Sequence, residues 1–119
     1  MIKLLIIEDE LLIQQSLKKL FELKGYKVDT SASGKVAIDL ILRNDYDRII
    51  SDLMLNDISG FDVIEESKKR FTSEEISKKF VIMTAYNSPQ VLLRANTYQC
   101  KLIHKPWDDL EAAMKTMTE

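Results

Sequence analysis

Leu4-Leu5-Ile6-Ile7 is an uninterrupted apolar run that stops dead at Glu8-Asp9-Glu10. A short apolar run cut off by charge is the pattern of a strand buried on both faces, so a first strand is predicted over 2–7. Beyond it Ile13, Leu17, Leu20 and Phe21 recur at helical spacing, and Gly25 follows Lys24 where a helix end favours positive φ. The first helix is therefore expected over about 11–24. Residues 26–30, Tyr-Lys-Val-Asp-Thr, alternate with period two and suit a second strand with one partly exposed face. Ser33-Gly34 opens a second helix, with Ala37, Leu40 and Ile41 on its apolar face and Asn44-Asp45 breaking it. The third strand, Arg48-Ile49-Ile50-Ser51-Asp52, ends in an acid.

Gly60 precedes one helical stretch that takes in Phe61, Ile64 and Phe71, and residues 79–84 read as a fourth strand. Ser88-Pro89 is a helix start with an N-capping hydroxyl and proline at the first helical position, and that fourth helix should run to about Thr97. Lys101 to His104 makes a fifth strand, and Leu110, Ala113, Met114 and Met117 form the inward stripe of a fifth helix. Strands that alternate with helices in this way predict an α/β fold: a five-stranded parallel sheet, doubly wound, with helices on both faces. Such a sheet binds ligands at the carboxyl ends of its strands.

Composition narrows the partners. With 119 residues, 45% of them hydrophobic and 30% charged, the chain fits one domain over 1–119 with no linker or repeat. A net charge of −2 gives no basis for a nucleic-acid surface or a polybasic membrane anchor. The longest apolar runs have four residues, against the ~20 of a spanning helix, and residues 1–10 lack the pattern of a secretory signal. The default compartment is the cytoplasm. Cys100 is the only cysteine, which excludes an internal disulfide and a cysteine-based metal cage. Any metal must take oxygen ligands, with His104 as the sole imidazole available.

The strand ends carry the chemistry. The first delivers Glu8, Asp9 and Glu10, the third Asp52, the fourth Thr84 and the fifth Lys105-Pro106. Taken singly these have ordinary readings, such as Asp9 capping the first helix or Lys105 as a solvated charge. Taken together they do not. Carboxylates gathered at one sheet edge repel one another, and a hard divalent cation relieves that repulsion. Mg²⁺ fits best, because it binds one or two carboxylates and leaves room for phosphate oxygens. A carboxylate beside it can attack phosphorus, with Asp52 as nucleophile and Thr84 and Lys105 on the phosphoryl oxygens.

These residues resemble the receiver domain of two-component response regulators over essentially the whole chain. The matching pieces are Leu5-Ile6-Ile7-Glu8-Asp9-Glu10, Ile49-Ile50-Ser51-Asp52-Leu53-Met54-Leu55 with Gly60, Met83-Thr84-Ala85 and Lys105-Pro106. Their gaps agree too, with 32 positions from Asp52 to Thr84 and 21 from Thr84 to Lys105. The resemblance implies a flavodoxin-like fold and a switch rather than an enzyme with a separate substrate. It implies Asp52 as phosphoacceptor, Glu8, Asp9, Asp52 and the Met54 backbone carbonyl as Mg²⁺ ligands, and Thr84 and Lys105 as the groups that bind the phosphoryl oxygens. It also implies a cis Lys105-Pro106 bond, and Met54 and Tyr86 lining the approach to the phosphoryl group, where their bulk would slow its hydrolysis. The implied partners are a sensor histidine kinase or phosphotransfer protein, and an output domain or protein reached through the fourth helix, fifth strand and fifth helix. A homodimer is a further expectation of the family.

The chain departs from the family pattern at three places. Leu102 stands where an aromatic residue is usual, Asn56 where proline is usual, and Thr97-Tyr98-Gln99 where small residues precede the fifth strand. The alternative these departures leave open is a receiver-like scaffold that works without phosphorylation. An aspartyl phosphatase would want a second acid at Met54, and a flavin phosphate would be repelled by Glu8-Asp9-Glu10.

Overall fold

The computed structural model describes all residues from Met1 to Glu119. Five strands, β1 (Lys3–Ile7), β2 (Lys27–Ser31), β3 (Arg48–Asp52), β4 (Phe80–Thr84) and β5 (Lys101–His104), form one parallel sheet in the order β2-β1-β3-β4-β5. Six helices connect and follow them: α1 (Leu11–Leu23), α2 (Gly34–Arg43), α3 (Gly60–Ser67), α4 (Ser73–Lys79), α5 (Pro89–Tyr98) and α6 (Leu110–Thr118). The expected doubly wound parallel sheet is the architecture observed.

Alternation along β1 divides the core in two. Leu4 and Ile6 face α1 and α6, in a cluster with Leu17, Phe21, Val81, Met83, Met114 and Met117. Leu5 and Ile7 face the other layer, with Ala37 and Ile41 of α2, Phe61 and Ile64 of α3, Ile76 of α4 and Ala95 of α5. Strands covered on both sides must be apolar throughout, which is why β1 and β4 read as unbroken apolar runs rather than as alternations.

One expectation needs correction. The stretch predicted as a single helix from Gly60 through Phe71 is two helices. α3 ends at Ser67, and Thr72 then caps α4 by accepting from the Glu75 N–H while the Glu75 side chain accepts from the Thr72 N–H. That reciprocal capping box is a helix start written in Thr72-Ser73-Glu74-Glu75, and Phe71 is buried in the turn before it. The expected fourth and fifth helices are accordingly α5 and α6. Elsewhere the boundaries agree to within a residue or two: Gly25 takes φ +94 just past α1, and Ser88 accepts from the Val91 N–H at the start of α5.

The sheet order reverses between β1 and β3, so the crevice at their carboxyl ends is the topological switch point where this fold class binds ligands. Glu8 follows β1 directly and Asp52 closes β3.

Candidate functional site

At that switch point the carboxylates of Glu8, Asp9 and Asp52 converge, with one oxygen of each lying within 4.8 Å of the others. Glu8 has no solvent exposure and Asp52 is 7% exposed. The position of Glu8 is fixed by β1 and by two local bonds. Its backbone carbonyl accepts from Gln14 Nε2 at 3.0 Å, and its Oε2 accepts from the Glu10 N–H at 3.3 Å. Helix capping does not account for the acids, because α1 begins at Leu11 and its N-cap residue, Glu10, makes no side-chain cap bond.

Lys105 reaches into the cluster from the loop after β5. Its Nζ donates to Glu8 Oε1 at 2.8 Å and lies 3.4 Å from Asp52 Oδ1. The Lys105-Pro106 peptide is cis, and the Lys105 N–H donates to the Thr84 carbonyl at 2.8 Å, tying the loop to the end of β4. One ammonium cannot balance three carboxylates. Desolvation raises the Glu8 pKa to about 7, against the bond from Lys105, and repulsion from Asp52 adds to the rise. Desolvation likewise raises Asp52, partly offset by Lys105. Burial alone would depress the Lys105 ammonium, but its two carboxylate neighbours prevail and its pKa is raised. A surplus of buried negative charge and a set of hard oxygen donors suit a divalent cation.

Thr84 stands apart from this cluster. It is buried at the end of β4, and its hydroxyl accepts from the Tyr86 N–H at 2.9 Å. Neither Asp52 nor Lys105 is a side-chain hydrogen-bond partner of Thr84. Met54 is half exposed at the start of the β3–α3 loop, in an antiparallel bridge with Ser59. Gly60 lies behind Asp52: a Cβ on it would stand 2.7 Å from the Asp52 carbonyl oxygen, so the backbone approaches as closely as only glycine allows.

Above the acids opens a cleft of about 790 Å³, lined among others by Asp9, Glu10, Asp52, Met54, Tyr86 and Lys105. Asp52 thus presents a buried carboxylate beside an ammonium at the lining of an open cleft.

A family model described as "Response regulator receiver domain" matches residues 4–116. The chain belongs to the response regulator receiver domain family. It is similar to the response regulator SaeR of Staphylococcus aureus, at 33% identity over 116 residues, which are 97% of this chain and 49% of that protein. The chain thus spans about half the length of the curated relatives it matches. Among solved structures it resembles the chemotaxis protein CheY4 of Vibrio cholerae, with TM-score 0.85 at 25% identity, covering 98% of this chain and 95% of that one. It also resembles the non-phosphorylated HemR receiver domain of Leptospira biflexa, with TM-score 0.85, 28% identity and coverage of 97% and 90%. A third is the response regulator TrrA of Thermotoga maritima, solved in complex with Mg²⁺-BeF, with TM-score 0.78, 27% identity and coverage of 98% and 99%. As a receiver domain the chain is a signalling switch of two-component systems, a family whose known role is to be phosphorylated by a kinase. Members of the family bind Mg²⁺ in an acidic pocket, and Glu8, Asp9 and Asp52 form an acidic cluster here that could hold a metal ion.

Two residues of this receiver's site region escaped the sequence reading. Asp57, in the β3–α3 loop, accepts from the Ser33 hydroxyl and from the N–H groups of Gly34, Lys35 and Ile58. Desolvation, the largest single influence, pushes its carboxyl up, but the four bonds together outweigh it and hold the group far below the usual range. They also fasten the loop that carries Met54 to the N-terminus of α2, where Asn56 supplies none of the stiffness of a proline. Ile13, read only as part of the apolar stripe of α1, lines the cleft beside Trp107. Asx-type capping across 24 residues, as between Asp57 and Ser33, leaves no local sequence signal. His104 is exposed at the end of β5, outside the acid cluster.

Proposed function

We propose that this receiver accepts a phosphoryl group on Asp52 and works as a conformational switch within one domain spanning 1–119. The observation that carries the reading is Lys105 Nζ set between Glu8 and Asp52 over a cluster of three carboxylates. An Asp52 oxygen attacks the phosphorus of a phosphohistidine on a sensor kinase or phosphotransfer protein. The phosphorus–nitrogen bond breaks and the imidazole leaves. Lys105 remains within reach of the Asp52 oxygens to pair with the transferred group, and the buried Thr84 hydroxyl turns from the Tyr86 N–H to meet it. Glu8, Asp9, Asp52 and the Met54 carbonyl would hold Mg²⁺, which supplies charge neutralisation at the phosphoryl oxygens. TrrA, solved with Mg²⁺-BeF, supports that assignment by its similarity.

The added charge biases the surface of α5, β5 and α6, through which an output domain or partner protein, or a second copy in a homodimer, responds. No other substrate is turned over, and as for the family generally the compartment is the cytoplasm. Met54 and Tyr86, 54% and 55% exposed over the cleft, restrict water's approach and lengthen the phosphorylated state. Replacing both with small polar residues should hasten loss of the phosphoryl group.

Intact-mass spectrometry after incubation with Mg²⁺ and acetyl phosphate tests the core of the reading. One phosphoryl group should be gained by the native chain and none by Asp52→Asn. If neither phosphorylation nor Mg²⁺-dependent beryllofluoride binding occurs, the chain is a scaffold that works without phosphorylation.

A further inference from the structure

The cleft over Asp52 is larger and more apolar than a phosphoryl group and a cation require. Beside the acids its lining includes Ile13, Met54, Tyr86, Pro106 and Trp107. Ile13 and Trp107 also line a second, shallow groove of about 310 Å³ with Leu12, Leu17 and Leu110, so these two side chains form the partition between the grooves. Trp107 is held there by packing alone: it lies against the α1–α6 core cluster, and its indole N–H has no hydrogen-bond partner. The charges around the cleft are lopsided. Lys105 is its single cationic side chain, already shared between Glu8 and Asp52, while Asp9 and Glu10 stand at its edge.

In an in-line displacement at phosphorus the leaving group departs on the side opposite the nucleophile. With Asp52 lining the cleft, a group leaving its phosphorus departs into the space that the apolar side chains also line. A leaving group carrying further phosphates would meet carboxylates there and no free cation. A flat apolar one would meet a tryptophan, a proline and an isoleucine.

Resting on the phosphoacceptor reading, we infer that Ile13, Pro106 and Trp107 form a leaving-group subsite, which makes small aryl acyl phosphates direct phosphoryl donors to this protein in preference to acetyl phosphate or nucleoside triphosphates. The step balances: the Asp52 oxygen–phosphorus bond forms, the bond from phosphorus to the acyl oxygen breaks, and the arylcarboxylate leaves with the electron pair. No proton need be transferred at neutral pH. Trp107 and Ile13 bind the ring and take no part in the bond changes.

The probes are benzoyl phosphate, acetyl phosphate and ATP, each with Mg²⁺, with phosphoryl gain followed by intact mass. The native chain should be phosphorylated faster by benzoyl than by acetyl phosphate, with saturation, and not by ATP. The benzoyl-to-acetyl rate ratio should fall about ten-fold in Trp107→Ala or Ile13→Ser, the scale of losing one apolar contact set in a pocket. Benzoate, but not acetate, should change the emission of Trp107 saturably, since it is the chain's only tryptophan. Should Trp107→Ala fail to fold, Ile13→Ser and the benzoate titration of the native chain decide. A ratio unchanged in the variants, or emission blind to benzoate, overturns the subsite while phosphorylation by acetyl phosphate keeps Asp52 as acceptor. If no donor labels Asp52, both readings fall.

Discussion

The β1–β3 centre of the sheet and its β5 edge are built to different standards. β1 and β3 each bury four of their five residues and β4 buries all five, whereas no residue of β5 is buried. The helices repeat the contrast, since α3 buries five residues and α5 only Ala95. α5 depends instead on side chains of its later turns. Tyr98 packs on the Phe61 ring and donates to Glu65, and Arg94 lies over Phe61. Few buried anchors mean a low cost of local rearrangement. The acids thus sit on a platform that resists displacement, next to a flank that can move when the charge at Asp52 changes.

The largest expected effect is at the joint between the two regions. Lys105 belongs to the β5 side, yet its ammonium serves the acids of β1 and β3. Lys105→Met should keep the fold when Mg²⁺ is present and slow phosphorylation by acetyl phosphate about 10²–10³-fold, the range for deleting one stabilising group at a developing charge. Time-resolved intact mass measures it. A rate within a factor of two of the native chain would mean that the lysine serves only to pair buried acids.

Packing beneath Asp52 offers a sharper probe of the platform. In Gly60→Ala the new methyl meets the backbone carbonyl of Asp52, which β3 cannot withdraw, and destabilisation of about 1–3 kcal/mol in urea unfolding is expected. Gly34→Ala is a control in the same core layer, because its methyl would meet side-chain atoms alone, Ile58 Cγ1 at 2.6 Å, Ile58 Cδ1 at 3.0 Å and Leu55 Cδ1 at 3.1 Å, which can shift by rotation. Its cost should be the smaller of the two. Equal costs would show that β3 yields as readily as a side chain.

The platform also has a pH signature. In the metal-free chain the Glu8 pKa is raised from 4.5 to about 7, so the folded state binds a proton that the unfolded state has already released between those values. Stability should therefore rise as pH falls from 8 to 5.5, by on the order of 1–3 kcal/mol. Asp52, also raised, contributes with the same sign. Lys105 does not titrate in this window, because its raised pKa moves its loss of charge above 10.5. Below about pH 4.5 the trend reverses as the depressed carboxyls of Asp57, Glu65 and Glu75 take up protons. Urea midpoints from pH 5.5 to 8 should slope for the native chain and flatten for Glu8→Gln. For the same reason Mg²⁺ affinity should weaken as pH falls below 7, since the cation competes with the proton on Glu8.

The same contrast governs what the sequence discloses. Strands buried on both faces advertise themselves as apolar runs, and the acids that terminate them mark the carboxyl edge, so β1, β3, β4 and the set Glu8, Asp9, Asp52 and Lys105 can be placed before any coordinates. The break between α3 and α4 is harder to see, because Phe71 keeps the apolar spacing while the capping box at Thr72 and Glu75 overrides it. Contacts that cross between elements leave no pattern at all. Asp57 on α2, and Tyr98 on Phe61 and Glu65, join residues 22 to 37 positions apart. The absence of an aromatic at Leu102 is legible, but the packing of Tyr98, the last residue of α5, on Phe61 of α3 is visible only in three dimensions.

That contact supplies the smallest and most discriminating prediction. Tyr98→Phe keeps the ring on Phe61 and removes only the hydroxyl donated to Glu65, in a partly exposed position, so global stability should fall by no more than about 1 kcal/mol. Local opening is another matter. With Ala95 the single buried residue of α5, the Tyr98–Glu65 bond is one of the few contacts, beside Tyr98 and Arg94 on Phe61, that join that helix to α3. Hydrogen exchange should quicken in α5 and β5 while the amides of β1 and β3 are unchanged. Uniform quickening across the sheet would show one cooperative unit, and the movable flank would then need phosphorylation itself, rather than weak anchoring, to set it apart from the platform.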